Sequence, residues 1–134
     1  MSKDWVKDIN EMQTKYGVHD WIKKASPEQR NEYLKFRADF LKEELTELNN
    51  AIYHADSEEV VDALIDLCVV AIGTLDSFQV DAHKAWNEVL KANMNKQVGV
   101  KEGRPNPLGL PDLTKPEDWE APDHNGNYGI LYDF

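Results

Sequence analysis

The chain has very little cysteine: its one residue, Cys68, lies in an apolar run. No disulfide framework can form, so a reducing, cytoplasmic setting is expected, with the thiol packed as a small buried hydrophobe. No stretch approaches the roughly 20 apolar residues that cross a bilayer, and Met1-Ser2-Lys3-Asp4-Trp5 has no signal-like apolar region. A soluble protein with no membrane partner is the expectation. Positive charge is scarce too: 15 Lys and Arg against 25 Asp and Glu leave a net charge of −10. Such a surface repels the phosphate backbone and argues against nucleic acid as a partner. It can still take up a polyphosphate if metal cations stand between the two sets of negative charge. There is no Walker loop, no glycine-rich dinucleotide fingerprint and no calcium-loop pattern. His19, His54, His83 and His124 are scattered, and none has a glutamate three positions earlier, which excludes a ferritin-like di-iron bundle.

What remains is helical. With 134 residues, 41% of them hydrophobic, the chain suits one domain with one core. Trp5, Ile9 and Met12 are spaced as on a first helix over residues 4–15, and a loop with Val18 and Trp21 is expected after Tyr16-Gly17. Ser26-Pro27-Glu28-Gln29 reads as a capping box with proline in the first turn, opening a long helix to about residue 54. Asp56 and Glu59 read as a second box, opening a helix over 57–78. Its half Leu67-Cys68-Val69-Val70-Ala71-Ile72 is apolar all round, as in the central helix of a bundle. A fourth helix runs from Val80-Asp81 to about Gln97, with Trp86, Val89, Leu90 and Met94 on one side. Short connections then give an all-α, antiparallel bundle of four to five helices.

Beyond Gln97 lie five of the six prolines (Pro105, Pro107, Pro111, Pro116, Pro122) and five of the seven glycines, so regular structure is expected to stop largely there. Trp119, Tyr128, Ile130, Leu131, Tyr132 and Phe134 are too apolar for a free tail. The expected organisation is a helical domain over 1–98 and an arm over 99–134, docked on the bundle or on a partner subunit.

The chemistry is concentrated in acids. Glu43, Glu44 and Glu47 fan over one third of the second helix, and Glu59, Asp62 and Asp66 line up at spacings of three and four on the third. Acids on a helix usually form a solvated face laced with lysine partners. Between Ala55 and His83 there is no lysine or arginine, while Asp56, Glu58, Glu59, Asp62, Asp66, Asp76 and Asp81 are all acidic. Like charges four residues apart repel even in water, and more so where Asp66 enters an apolar segment. An acidic stripe of this kind calls for a cation. Ligands that are all oxygen, with no imidazole or thiolate, favour a hard ion, Mg2+ with Mn2+ as a substitute. On the fourth helix Asn93 projects from the apolar face and Lys96 from its edge. A buried asparagine needs partners, and either a loop backbone or a nucleotide supplies them. Lys84 and Lys91 share another stripe, from which phosphate is a further candidate contact.

Glu43-Glu44-Leu45-Thr46-Glu47, then Glu59-Val60-Val61-Asp62-Ala63-Leu64-Ile65-Asp66, then Gly73-Thr74 resemble the all-alpha nucleotide pyrophosphohydrolases, the superfamily of MazG, the phosphoribosyl-ATP pyrophosphohydrolases and the dimeric dUTPases. Trp86-Asn87-Glu88-Val89 with Asn93-Met94-Asn95-Lys96 looks like the family's next helix, and Pro111-Asp112 with Trp119 looks like the tail of single-domain, phage-type members. The resemblance covers roughly residues 26–124. It implies Mg2+-dependent hydrolysis of a nucleoside triphosphate between the α- and β-phosphates, with a deoxynucleotide ahead of phosphoribosyl-ATP as substrate. It implies Glu44, Glu47, Asp62 and Asp66 as metal ligands and Glu43 as the residue that orients or deprotonates water. Asn93 and Lys96 would hold the nucleotide, with Lys91 and Lys84 as further contacts, and the chain would pair into a homodimer or homotetramer. One departure stands out: Glu59 and Asp62 spell the family's ExxD motif literally, whereas the downstream Gly73-Thr74 favours Asp66 as its aspartate, which puts Ala63 where its glutamate belongs and leaves Asp62 as the neighbouring substitute. The rival from another class is a non-enzymatic acidic interaction protein.

Overall fold

In the computed structural model residues 3–99, 101, 103, 108, 109 and 112–131 are described. Pro105, Pro107, Pro111, Tyr132 and Phe134 of the expected arm lie outside the described residues. The elements run α1 (Trp5–Lys15), α2 (Val18–Lys24), α3 (Pro27–Tyr53), α4 (Ser57–Ser77), α5 (Ala82–Met94), β1 (Gln97–Gly99) and β2 (Asp112–Thr114). The fold is all-α apart from this small strand pair.

Local chemistry sets the helix starts. The Asp4 carboxylate accepts from the Lys7 amide at 3.1 Å and opens α1. The Ser26 box is complete: Gln29 N–H donates to Ser26 Oγ at 3.2 Å, and Ser26 N–H donates to Gln29 Oε1 at 2.8 Å. At α4 the structure shows the Asp56 half of the expected box, accepting from Glu59 N–H at 3.1 Å.

The structure departs from the sequence reading in four places. Residues 18–24 form a helix, not a loop, because Val18, Trp21 and Ile22 share one face and Ile22 is fully buried. The fourth expected helix stops at Met94, and Gln97–Gly99 instead pairs antiparallel with Asp112–Thr114. Strand pairing across such a gap leaves no trace in local propensity. Cys68 is exposed, not buried. The apolar half of α4 is covered on the side of Val70, Gly73 and Ser77, while Cys68 and Ala71 lie open.

The chain divides into two compact units, one of Met1–Ala82 with Gly126–Phe134 and one of His83–Asn125. In the first, α3 and α4 form an antiparallel hairpin, with α1 and α2 packed on α4. Its core is Ile22, Phe78 and Val80, against which Tyr33, Leu34, Leu75, Ile130 and Leu131 pack. The buried Gln13 side chain donates to Gly73 O at 2.8 Å and Ser77 Oγ at 2.7 Å, so α1 is tied to α4 without an unsatisfied polar group.

The returning segment is fastened by one backbone hydrogen bond and by the Asn127 side-chain amide. Ile130 N–H donates to Phe78 O at 2.8 Å, and Asn127 holds both the N–H and the C=O of Asp81, at 2.8 and 2.9 Å. Gly129 sits at φ +53°, and a Cβ there would run into the carbonyl of Phe78 and the backbone of Gln79. Gly129→Ala is therefore expected to lower stability by about 2 kcal/mol or more, read as a fall in Tm by calorimetry. An unchanged Tm would show that this segment does not pack as described.

In the second unit Trp119 Nε1–H donates to Ala92 O at 2.7 Å, and Asp123 N–H donates to Glu88 Oε1 at 3.1 Å. The ammonium groups of Lys115 and Lys96 stand 4.7 and 5.7 Å from the Trp119 ring centre.

Candidate functional site

The α3/α4 hairpin is zipped from its open end. The Tyr33 hydroxyl lies 2.7 Å from Ser77 Oγ. One turn further along α3, Arg37 Nε–H donates to Thr74 Oγ1 and Nη2–H to Val70 O, each at 3.0 Å. Ala51 and Ala63 are buried where the helices run on toward the turn. This antiparallel register brings Glu44 into the field of Asp66, and Glu47 into that of Asp66 and Glu59. Ala63 itself is covered, so the position that breaks the family's pattern is part of the packing here.

The acids share one field. Glu44 is only 7% exposed, and its Oε2 is buried with no hydrogen-bond partner. Burial first, then contact with the Glu47 carboxyl, then the charges of Glu47, Asp66 and Glu43 push its pKa up to about 7. Asp66 is raised by burial, by the charge of Asp62 and its carboxyl contact, and by Glu47. Glu59 is raised by desolvation and then by Asp62, Asp56, Glu47 and Glu58. Glu44, Glu47 and Asp66 thus act on one another across the seam, with Asp62 beside Asp66, Glu43 beside Glu44, and Glu59, in the field of Glu47, at the rim. None of the six forms an ion pair with a lysine or arginine among the described residues; the His19 imidazole and the Asp76 carboxylate, further along α4, do meet.

Each acid held against its neighbours without a counter-charge is costly, and an orphaned buried carboxylate oxygen is more so. A divalent cation bound by oxygen ligands relieves both, and the donor set fits a hard ion. Among the described residues, no three His, Cys, Asp or Glu side chains stand close enough together to enclose one. The ion's own charge would have to draw them in.

The residues expected to hold nucleotide lie on or just after α5. Asn93 is exposed rather than buried, because the face built from Trp86 and Met94 is itself 68% and 76% exposed. Lys91 lines a cavity of about 440 Å³ with Trp119, Asn95, Glu88 and Asp118, and Lys96 lies half-buried against the same indole. Lys84 is exposed. A second cavity, of about 370 Å³, lies at the other end of α4 and is lined by Asn10, His19, Lys23, Asp76 and Gln79. Asp76 is ten residues beyond Asp66, about 15 Å along the helix. The sequence reading missed the contact between His19 and Asp76, at 2.6 Å, because α2 was read as a loop.

The profile of the phosphoribosyl-ATP pyrophosphohydrolase family matches residues 17–93, which take in α2, α3, α4 and all but the last residue of α5. No curated protein and no solved structure gives a significant match.

Proposed function

Since the chain belongs to the phosphoribosyl-ATP pyrophosphohydrolase family, and so among the nucleotide pyrophosphohydrolases, we propose that it hydrolyses a nucleoside triphosphate, a deoxynucleotide first, between the α- and β-phosphates. The products are a nucleoside monophosphate and pyrophosphate. The observation that carries this reading is the buried, unpartnered Glu44 Oε2, facing a seam of acids that no basic residue among the described ones neutralises. Phosphoribosyl-ATP, the substrate in the family's own description, is the second reading.

Glu44, Glu47, Asp62 and Asp66 would hold Mg2+, or Mn2+ in its place. Bound there, the metal would supply charge for the phosphate oxygens and acidify a water molecule. Glu43, exposed on α3 beside Glu44, would orient or deprotonate the attacking water. Glu44 is buried and Asp66 half-buried, which shields one side of the seam from bulk solvent and strengthens the charge interactions made there. Asn93, Lys96, Lys91 and Lys84 contact the nucleotide in this proposal.

The chain also works as a homo-oligomer in this reading. Val61, 63% exposed, Leu64, Ile65 and Cys68 leave an apolar face on α4 that water covers in a single chain. Light scattering is expected to give a dimer or tetramer, and a monomer mass contradicts the pairing.

The activity is tested by incubating the protein with each ribo- and deoxynucleoside triphosphate and with phosphoribosyl-ATP, with and without Mg2+. Monophosphate and pyrophosphate are expected only with the metal. Release of orthophosphate would place the wrong bond in the site. No turnover of any substrate, with charge-dependent capture of a protein partner, would favour the interaction reading.

A further inference from the structure

Gly73-Thr74 carries part of the family resemblance, yet the acids account for none of it. The structure shows what the pair does. Thr74 gives its own hydroxyl proton to Val70 O at 2.7 Å and accepts Arg37 Nε–H at 3.0 Å. Gly73 leaves room for the guanidinium: a methyl group there would lie 2.7 Å from Arg37 Nη2. The rings of Phe40 and Tyr33 flank the group at 5.8 and 6.0 Å. Arg37 is thus fixed on one edge by two hydrogen bonds to uncharged acceptors, and no carboxylate among the described residues pairs with it. Its Nη1 donates to none of the described residues and is not shut off from solvent. A half-buried guanidinium held rigid, with a donor pair left over and no counter-ion, is arranged for an anion that arrives from outside.

The placement says which anion. Arg37 precedes Glu44 by seven residues, so the two share a face of α3 two turns apart, roughly 10 Å along the axis. Both reach α4, Glu44 toward Asp66 and Arg37 toward Val70, one turn further on. Among the residues that meet across this seam, Arg37 is the cation in a row of acids. We propose that Arg37, seated on Gly73-Thr74, is a phosphate-binding residue that takes the end of the polyphosphate remote from the metal. The inference rests on the hydrolase reading above.

Its test separates the two. Turnover of the best nucleotide and binding of inorganic tripolyphosphate with Mg2+, by calorimetry, are measured for the wild type, Arg37→Met and Arg37→Lys, with a Tm for each. Arg37→Met is expected to raise KM and the tripolyphosphate Kd by about tenfold or more, with Arg37→Lys between it and the wild type, because lysine keeps the charge but loses the fork. If Arg37→Met does not fold, Arg37→Lys decides alone, and an unchanged KM and Kd overturn the proposal. A fall in Tm with KM and Kd unmoved makes Arg37 a helix clamp and overturns it also. A wild type that binds tripolyphosphate through Arg37 yet turns over no nucleotide keeps the anion site and removes the hydrolase reading. A wild type that neither binds nor turns over removes both.

Discussion

Glu44→Gln will lower nucleotide turnover by on the order of a thousandfold while leaving the metal-free protein more stable than the wild type at pH 8. The two halves of this expectation come from one cause. Glu44 is buried, its Oε2 has no partner, and Glu47, Asp66 and Glu43 all act against its ionisation. Glutamine has nearly the same shape and no charge, so it removes the repulsion and supplies amide hydrogens to the neighbouring carboxylates. What stabilises the empty fold removes a ligand from the proposed metal site, the trade expected where function keeps strained charges together. Steady-state kinetics and calorimetry on the same preparation check both halves. A variant that is fully active, or one that is unfolded, contradicts this role for Glu44.

The second large effect is on pH. Folded Glu44 keeps its proton up to about pH 7, whereas the unfolded chain releases it near the ordinary value of 4.5. Between those values the folded state holds the extra proton, so raising the pH favours unfolding. The stabilising contribution is complete below about 4.5 and is lost as the pH passes 7, with Asp66 and Glu59 shifted in the same direction. For Glu44 alone the loss is on the order of 3 kcal/mol at most, shared with the groups it is coupled to. Carboxylates elsewhere oppose this at acid pH, so the comparison is between wild type and Glu44→Gln. Their Tm values should coincide near pH 4.5 and part by pH 8, with the variant higher. Saturating Mg2+ should close that gap by raising the wild type, since a cation takes the place of the proton. A gap that opens toward acid pH instead would reverse the sign of the account.

Much of this was legible in the sequence, for reasons that differ by element. Caps are local: Ser26 with Gln29, and Asp56 with Glu59, mark the starts of α3 and α4 because a side chain three residues away makes the bond. The acids of α3 and α4 were legible as stripes because helical spacing alone aligns them and the gap in lysine and arginine is visible in the sequence. Residues 18–24 were not, since Gly17 reads as a stop when it in fact begins a seven-residue helix. The pairing of Gln97–Gly99 with Asp112–Thr114 was not, because register across an intervening loop is a tertiary choice. Cys68 and Asn93 show the reverse error. An apolar run in the sequence implies burial, whereas parts of α4 and α5 carry apolar faces that this chain leaves open. Arg37 was missed because its meaning depends on Gly73 and Thr74, more than thirty residues away.

The most direct test is a Mn2+ titration, followed by electron paramagnetic resonance, of the wild type and of the Glu44→Gln, Asp66→Asn double variant at pH 8. The wild type should take up the ion with the acids of α3 and α4 as its ligands, so the double variant, folded, should leave the free-ion signal undiminished. Equal uptake by the two proteins, or none by either, would mean that these carboxylates do not serve a cation and that the hydrolase proposed for them has no site.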